Sequence, residues 1–167
     1  MRASGNRDRA MRIIQLNPGI HLRRLQKLLG TSFSTARYHV SNLERDGEII
    51  RSKDRRYDRL YPRGTSDAMQ TTFAAMQSGS ARRVLEALAD SDLAFGDVAE
   101  RTGLSMSTVS ERIKELGEAD LVSRFTSPDG HTKYTLHDRE RVVVLLTSLQ
   151  RNMMDIAVEN FLDLWDL

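Results

Sequence analysis

The sequence predicts a mainly α-helical chain with small β-hairpins, an α+β class in which one helix–turn–helix–hairpin plan occurs twice and a long helix follows. Three observations predict it. Residues 22–45 hold two amphipathic runs separated by a glycine turn, with a hairpin pattern behind them. The same plan returns at an offset of 73 residues, Gly103–Leu116 (GLSMSTVSERIKEL) matching Gly30–Leu43 (GTSFSTARYHVSNL). The last stretch, 138–167, keeps apolar residues at helical spacing with no proline or glycine.

Taken in order, Met1–Asn6 is polar and expected to be frayed. Arg7–Leu16 reads as a first helix with Met11, Ile14 and Ile13 inward, stopped by Asn17-Pro18-Gly19. Leu22–Leu29 (LRRLQKLL) is a short amphipathic helix and Gly30 its turn. In Thr31–Arg45, helical spacing puts Phe33, Ala36, Val40 and Leu43 on a core face, with Ser32 as N-cap and Gly47 as stop. His39 falls at the edge of that face, as a packing or phosphate-contact residue. Glu48–Arg51 and Tyr57–Tyr61 are short β-prone runs around the basic tip Ser52–Arg56. Helix, turn, helix and hairpin make a winged helix over residues 1–65.

Ser66–Gln77 reads as a connecting helix with Met69, Phe73 and Met76 on one face, and Ser78-Gly79-Ser80 as a flexible break, so that 66–79 is linker. A second winged helix spans 80–137, from Ala81–Ala89 and Phe95–Thr102 through the repeat to Leu121–Phe125 and Thr132–Leu136 around Pro128-Asp129-Gly130. Residues 138–167 form a helix roughly 40 Å long. That exceeds what a small winged helix covers. Leu149, Met153, Ile156, Phe161 and Trp165 are therefore expected to pair with a second copy, with folding back over the first domain or the connecting helix as the alternative.

The outward row of Thr31–Arg45 carries Ser34, Tyr38, Ser41 and Arg45, flanked by Thr35, Arg37 and Asn42, and has no carboxylate. Hydroxyls, amides and guanidinium groups in that pattern suit base edges and phosphates of double-stranded DNA. Base readout is assigned to Ser34, Thr35, Arg37, Tyr38, Ser41 and Asn42. Phosphate contacts are assigned to Arg23, Arg24, Lys27, Arg45, Lys53, Arg55 and Arg56. The second copy presents Ser107, Glu111, Lys114 and Glu118, with Glu115 beside them, which opposes a polyanion.

Charge agrees. Residues 1–66 hold 15 Lys/Arg and 6 Asp/Glu; residues 67–167 hold 10 and 17. The first half is the expected partner of a polyanion. The absence of cysteine excludes disulfides and thiolate metal sites, and the four histidines, at 21, 39, 131 and 137, lack metal-ligand spacing. No catalytic motif or phosphate-binding glycine loop is found, so neither an enzyme nor a cofactor is expected. The longest apolar run, Val142–Leu146, is too short for a bilayer, and no signal segment follows the Arg-rich start, so a cytoplasmic protein without membrane contact is expected.

PGIHLRRLQKLLGTSFSTARYHVSNLERDGEI resembles the winged helix-turn-helix transcriptional regulators common in archaea, through Pro-Gly-Ile-His before the second helix and Arg-Tyr-His in the third. The resemblance covers residues 6–62. It implies the fold and a regulator's function, without operator or effector. The other classes weighed are a protein-binding scaffold of tandem winged helices and a weakly specific nucleoid protein.

Overall fold

A computed structural model describes residues 2–54 and 57–165, with side chains described over 5–54 and 57–162. The chain forms two compact units. Met1–Gln70 with Leu149–Leu167 make the first, and Thr71–Ser148 the second.

The first unit contains α1 (Arg2–Leu16), β1 (Ile20–His21), α2 (Leu22–Leu29), α3 (Phe33–Arg45), β2 (Ile49–Asp54) and β3 (Tyr57–Pro62). Gly19 turns the chain at φ 84°, and its N–H donates to Leu60 at 2.8 Å. This aligns β1 on β3, so the antiparallel sheet runs β1-β3-β2. In the hairpin, Ile49 faces Pro62 and Asp54 faces Tyr57. Gly30 closes α2 in the left-handed region at φ 63°, where a β-carbon would be strained. The core joins Ala10, Ile13 and Ile14 of α1 to Leu25, Leu29, Ala36, Val40, Leu43, Ile49 and Leu60. The three helices thus bury one face each against the hairpin, which is how short amphipathic helices gain stability.

The last element, α8 (Arg139–Trp165), changes an expectation. Its residues from Leu149 onward belong to the first unit. Ile156, 2% exposed, lies in the same core cluster as Ile13 and Leu25, and Leu149 is also buried. Asn152 Nδ2 donates to the Leu16 carbonyl at 2.9 Å, satisfying an orphan group at the end of α1. Met153 is half-buried, with its Sδ 3.8 Å from an Arg24 nitrogen. Arg12 pairs with Glu159 at 2.5 Å, and Arg9 donates to Asn160 at 2.7 Å. Leu149, Met153 and Ile156 are therefore turned into their own unit rather than held for a second copy. Three turns of contacts along α1 draw them there. Phe161 is exposed, and the side chain of Trp165 lies outside the described residues.

α4 (Asp67–Met76) buries Thr72, Ala75 and Met76. Met69 and Phe73, expected on the packed face with Met76, are only half-buried. The second unit continues with α5 (Gly79–Asp90), β4 (Leu93–Ala94), α6 (Phe95–Thr102), α7 (Met106–Glu118), β5 (Val122–Thr126) and β6 (Thr132–Leu136). Its sheet order, β4-β6-β5, repeats the first. Elements from β1 to the start of β2 recur at an offset of 73, and the longer tip in the second hairpin moves β6 to 75. Ser78-Gly79-Ser80 is no flexible break. Ser78 accepts from Ala81 N–H and caps α5, and Gly79 and Ser80 form its first turn. Helix α1 begins at Arg2, so the stretch to Asn6 is helical rather than frayed.

Candidate nucleic-acid interface

Ser32 sets the start of α3. Its Oγ accepts from Thr35 N–H at 3.1 Å and shares hydrogen bonds with the hydroxyls of Ser34, at 3.0 Å, and Thr35, at 2.8 Å. Ser105 repeats this with Thr108 N–H, Ser107 and Thr108 at 3.2, 3.1 and 2.8 Å. The shared Ser-x-Ser-Thr signature is thus a capping device in both copies. Ser34 stays exposed and Thr35 half-buried, each hydroxyl keeping capacity beyond the cap bond.

Along the rest of α3, Arg37, Tyr38 and Ser41 are exposed and Asn42 is half-buried. Tyr38 is 62% exposed, an unusual position for a phenol on a small domain, and its ring meets His39 edge-on at 5.4 Å. His39 itself is buried, which gives it the packing role of the two expected. Phe33 departs from expectation. It is 46% exposed, because the buried row of α3 begins one turn later at Ala36.

The arginines divide into two groups. Arg7 pairs with Asp46 and Glu48 at 2.8 and 2.6 Å, tying α1 to the end of α3. Those bonds to Arg7 hold the Asp46 carboxyl below its usual range. Arg51 bridges Glu44 of α3, at 2.9 Å, and Asp58 of the wing, at 3.5 Å. Arg59 holds Asp54 at 2.5 Å and the Gly19 carbonyl at 3.0 Å. These brace the wing against α3 and the loop after α1. Arg45 is exposed, 3.5 Å from Asp46. Arg23, Lys27, Arg37 and Lys53 are exposed and, among the described residues, have no carboxylate at ion-pair distance. Arg24 is half-buried against Met153. Arg55 and Arg56 lie outside the described residues.

Beside this face runs an open concavity of about 990 Å³ along α2, with His21 and Tyr57 at one end and Phe33 among its lining residues. Sequence reasoning gave His21 and Tyr57 no place in a site and put Phe33 on the core face. Only the pairing of β1 with β3, two residues long, brings Tyr57 to His21, with ring centroids 5.3 Å apart. Burial, then the charges of Arg59 and Arg24, push the His21 pKa below 6.5, against a smaller opposing effect of Asp54.

In the second copy, Ser107, Glu111, Lys114 and Glu118 are exposed on α7. Arg112 is held by Glu115 at 2.5 Å and Glu111 at 3.3 Å. The wing tip turns at Gly130, φ 83°, after Ser127 and Asp129, whose side chains hydrogen-bond. Among the described residues, no group of three or more His, Asp or Glu could hold a metal ion, and no helix is long and apolar enough to cross a membrane.

Two family models match the chain. One, described as an N-terminal HTH domain of the HVO_0163 type, matches residues 4–73. The other, described as bacterial regulatory protein, arsR family, matches residues 78–124. A comparison with curated proteins finds no match. Among solved structures, the chain is similar to a homodimeric winged helix-turn-helix DNA-binding domain from Mycobacterium bovis, a possible ArsR-family regulator. The identity is 24% over 50% of this chain and 76% of that one, with a TM-score of 0.45. It is similar to diamide-treated YodB from B. subtilis at 23% identity over 57% and 95%, with a TM-score of 0.48. It is similar to reduced HlyU from Vibrio cholerae at 26% identity over 50% and 86%, with a TM-score of 0.44. The chain thus carries two helix-turn-helix domains in tandem, each followed by its wing.

Proposed function

We propose that the chain reads double-stranded DNA sequence-specifically through its first copy, within residues 1–65, and regulates transcription from there. One observation carries this reading: among the described residues, Arg23, Lys27, Arg37 and Lys53 are exposed with no carboxylate at ion-pair distance on α2, α3 and the wing, whereas Arg7, Arg51 and Arg59 are braced. Unpaired cations release DNA counterions on binding; paired ones must first lose a partner. Base readout falls chiefly to Arg37, Tyr38, Ser41 and Asn42, with Ser34 and Thr35 contributing from the cap. Arg37 is the candidate for a bidentate guanine contact. Arg23, Arg24, Lys27, Arg45 and Lys53, with Arg55 and Arg56 of the wing tip, serve phosphates. The second copy, 80–137, linked through 66–79, has exposed Glu111 and Glu118 where the first has Tyr38 and Arg45, and acts in assembly.

A regulator of this size gains specificity by pairing. The seam we propose is the outward stripe of α8: Met154, Val158, Phe161 and Leu162 are all more than half exposed. The steps of four and three from Met154 to Phe161 are those of a coiled-coil seam, which a two-fold axis can match to itself. Titrating the chain with a labelled random duplex and a selected duplex at two salt concentrations tests the reading. Strong salt dependence with a preference for the selected duplex supports it. Salt-dependent binding without preference makes the chain a general DNA coater, and no binding makes it a scaffold.

A further inference from the structure

The concavity along α2 has a chemistry that DNA phosphates alone do not use. Its wall carries Arg23 and Lys27, one turn apart on the same face, and Arg24 beside them. Its aromatic residues are Tyr57, 56% exposed, and Phe33. Tyr57 stands by His21 at the start of α2, and Phe33 follows its end. Eight helical residues span about 12 Å. That is room for one planar ring on Tyr57 with its anionic group between Arg23 and Lys27. The carboxylate in the lining, Asp58, is engaged by Arg51 at 3.5 Å and so opposes an anion less. Exposed aromatic faces beside unpaired cations are what a base with a phosphate recognises: stacking is tolerant of the ring's identity, and cations hold the phosphate.

We propose that this trough binds a nucleoside monophosphate, and that the bound molecule displaces DNA because both need Arg23 and Lys27. The inference rests on the DNA-reading assignment for its second half only. Calorimetry of the full chain with AMP tests it, with inorganic phosphate as the ringless control and Tyr57→Ala and Lys27→Ala as variants. Both side chains are exposed, so the fold is retained, and circular dichroism checks this. AMP should bind with a Kd below about 1 mM. Inorganic phosphate should bind at least about tenfold more weakly, and Tyr57→Ala should weaken AMP by about tenfold. Lys27→Ala should weaken both AMP and duplex. AMP should raise the apparent Kd of a duplex. No AMP binding by a chain that binds duplex overturns the trough assignment, and so does phosphate binding as tightly as AMP, or AMP binding unchanged in Tyr57→Ala. AMP and duplex binding independently overturns the competition. A chain that binds AMP but no duplex retains the site and loses the DNA-reading assignment instead.

Discussion

Replacing Ile156 by Ala separates the inward from the outward face of α8. Ile156 is 2% exposed in the core of the first unit. The substitution deletes about three carbon groups, at about 0.8 kcal/mol each from lost burial. A cavity among Ile13, Ile14 and Leu25 adds to this, for a total of about 2.5–4 kcal/mol. In a chain of this length each kcal/mol lowers Tm by roughly 2–4 °C, so a fall of about 5–15 °C is expected. Asp155, one residue before it, exposed and outside the outward apolar stripe, is the control, and its change to Ala should move stability by less than about 0.5 kcal/mol. Thermal melts by circular dichroism at low micromolar concentration read both. An Ile156→Ala chain that melts like the parent, or an Asp155→Ala chain that loses as much, would refute the docking of α8 on α1.

Four further expectations follow from the same geometry. Arg37→Ala should cost about 1–3 kcal/mol on a selected duplex and much less on random duplex, read by anisotropy titration. Lys53→Ala should weaken all duplexes alike and flatten the log–log salt slope by about 0.9, measured over several salt concentrations. Val158→Asp should shift light scattering toward monomer and weaken a two-half-site duplex more than a single half-site; a parent chain already monomeric at tens of micromolar contradicts the seam. His21 gives a pH dependence. The unfolded chain takes up the proton near pH 6.5, whereas the folded chain, with His21 lowered chiefly by burial, does so only at lower pH. The contribution is therefore complete above about 6.5 and declines as pH falls from there to the folded value. Urea midpoints of His21→Gln should decline less than the parent's between neutral and mildly acidic pH; parallel declines would exclude His21 as the source.

The repeat was legible because its signals are local. Gly30 and Gly103 stop helices in the left-handed region, and Ser32 and Ser105 start the next ones. Spacing then placed Ala36, Val40 and Leu43 in the core without knowledge of their partners. The same reasoning failed where two faces compete. On α8, Leu149, Met153 and Ile156 form one stripe and Met154, Val158 and Phe161 another, about 140° around the helix. Both keep helical spacing, and only tertiary contacts with Leu16, Arg24 and the α1 core select the first. Phe33 was misplaced for a related reason: periodicity extends a core face beyond the point where packing stops. The two-residue strands at Ile20 and Leu93 are too short to carry a pattern, which hid the contact between His21 and Tyr57. The reading face was legible as a charge contrast. Its division into braced arginines and unpaired cations was not, since Arg51 and Arg59 look no different from Arg37 in the sequence.

On this reading the first copy recognises DNA sequence through α3. Selection of bound sites from a random duplex pool tests it most directly, run in parallel on the parent chain, on Arg37→Ala with Tyr38→Ala, and on Glu111→Lys. We expect one enriched motif with the parent, its loss with the α3 double substitution, and the same motif with Glu111→Lys at higher background, because a repulsive charge on α7 has been replaced by an attractive one. A motif that survives the α3 substitutions, or one that disappears with Glu111→Lys, would place the reading in the second copy and contradict the account.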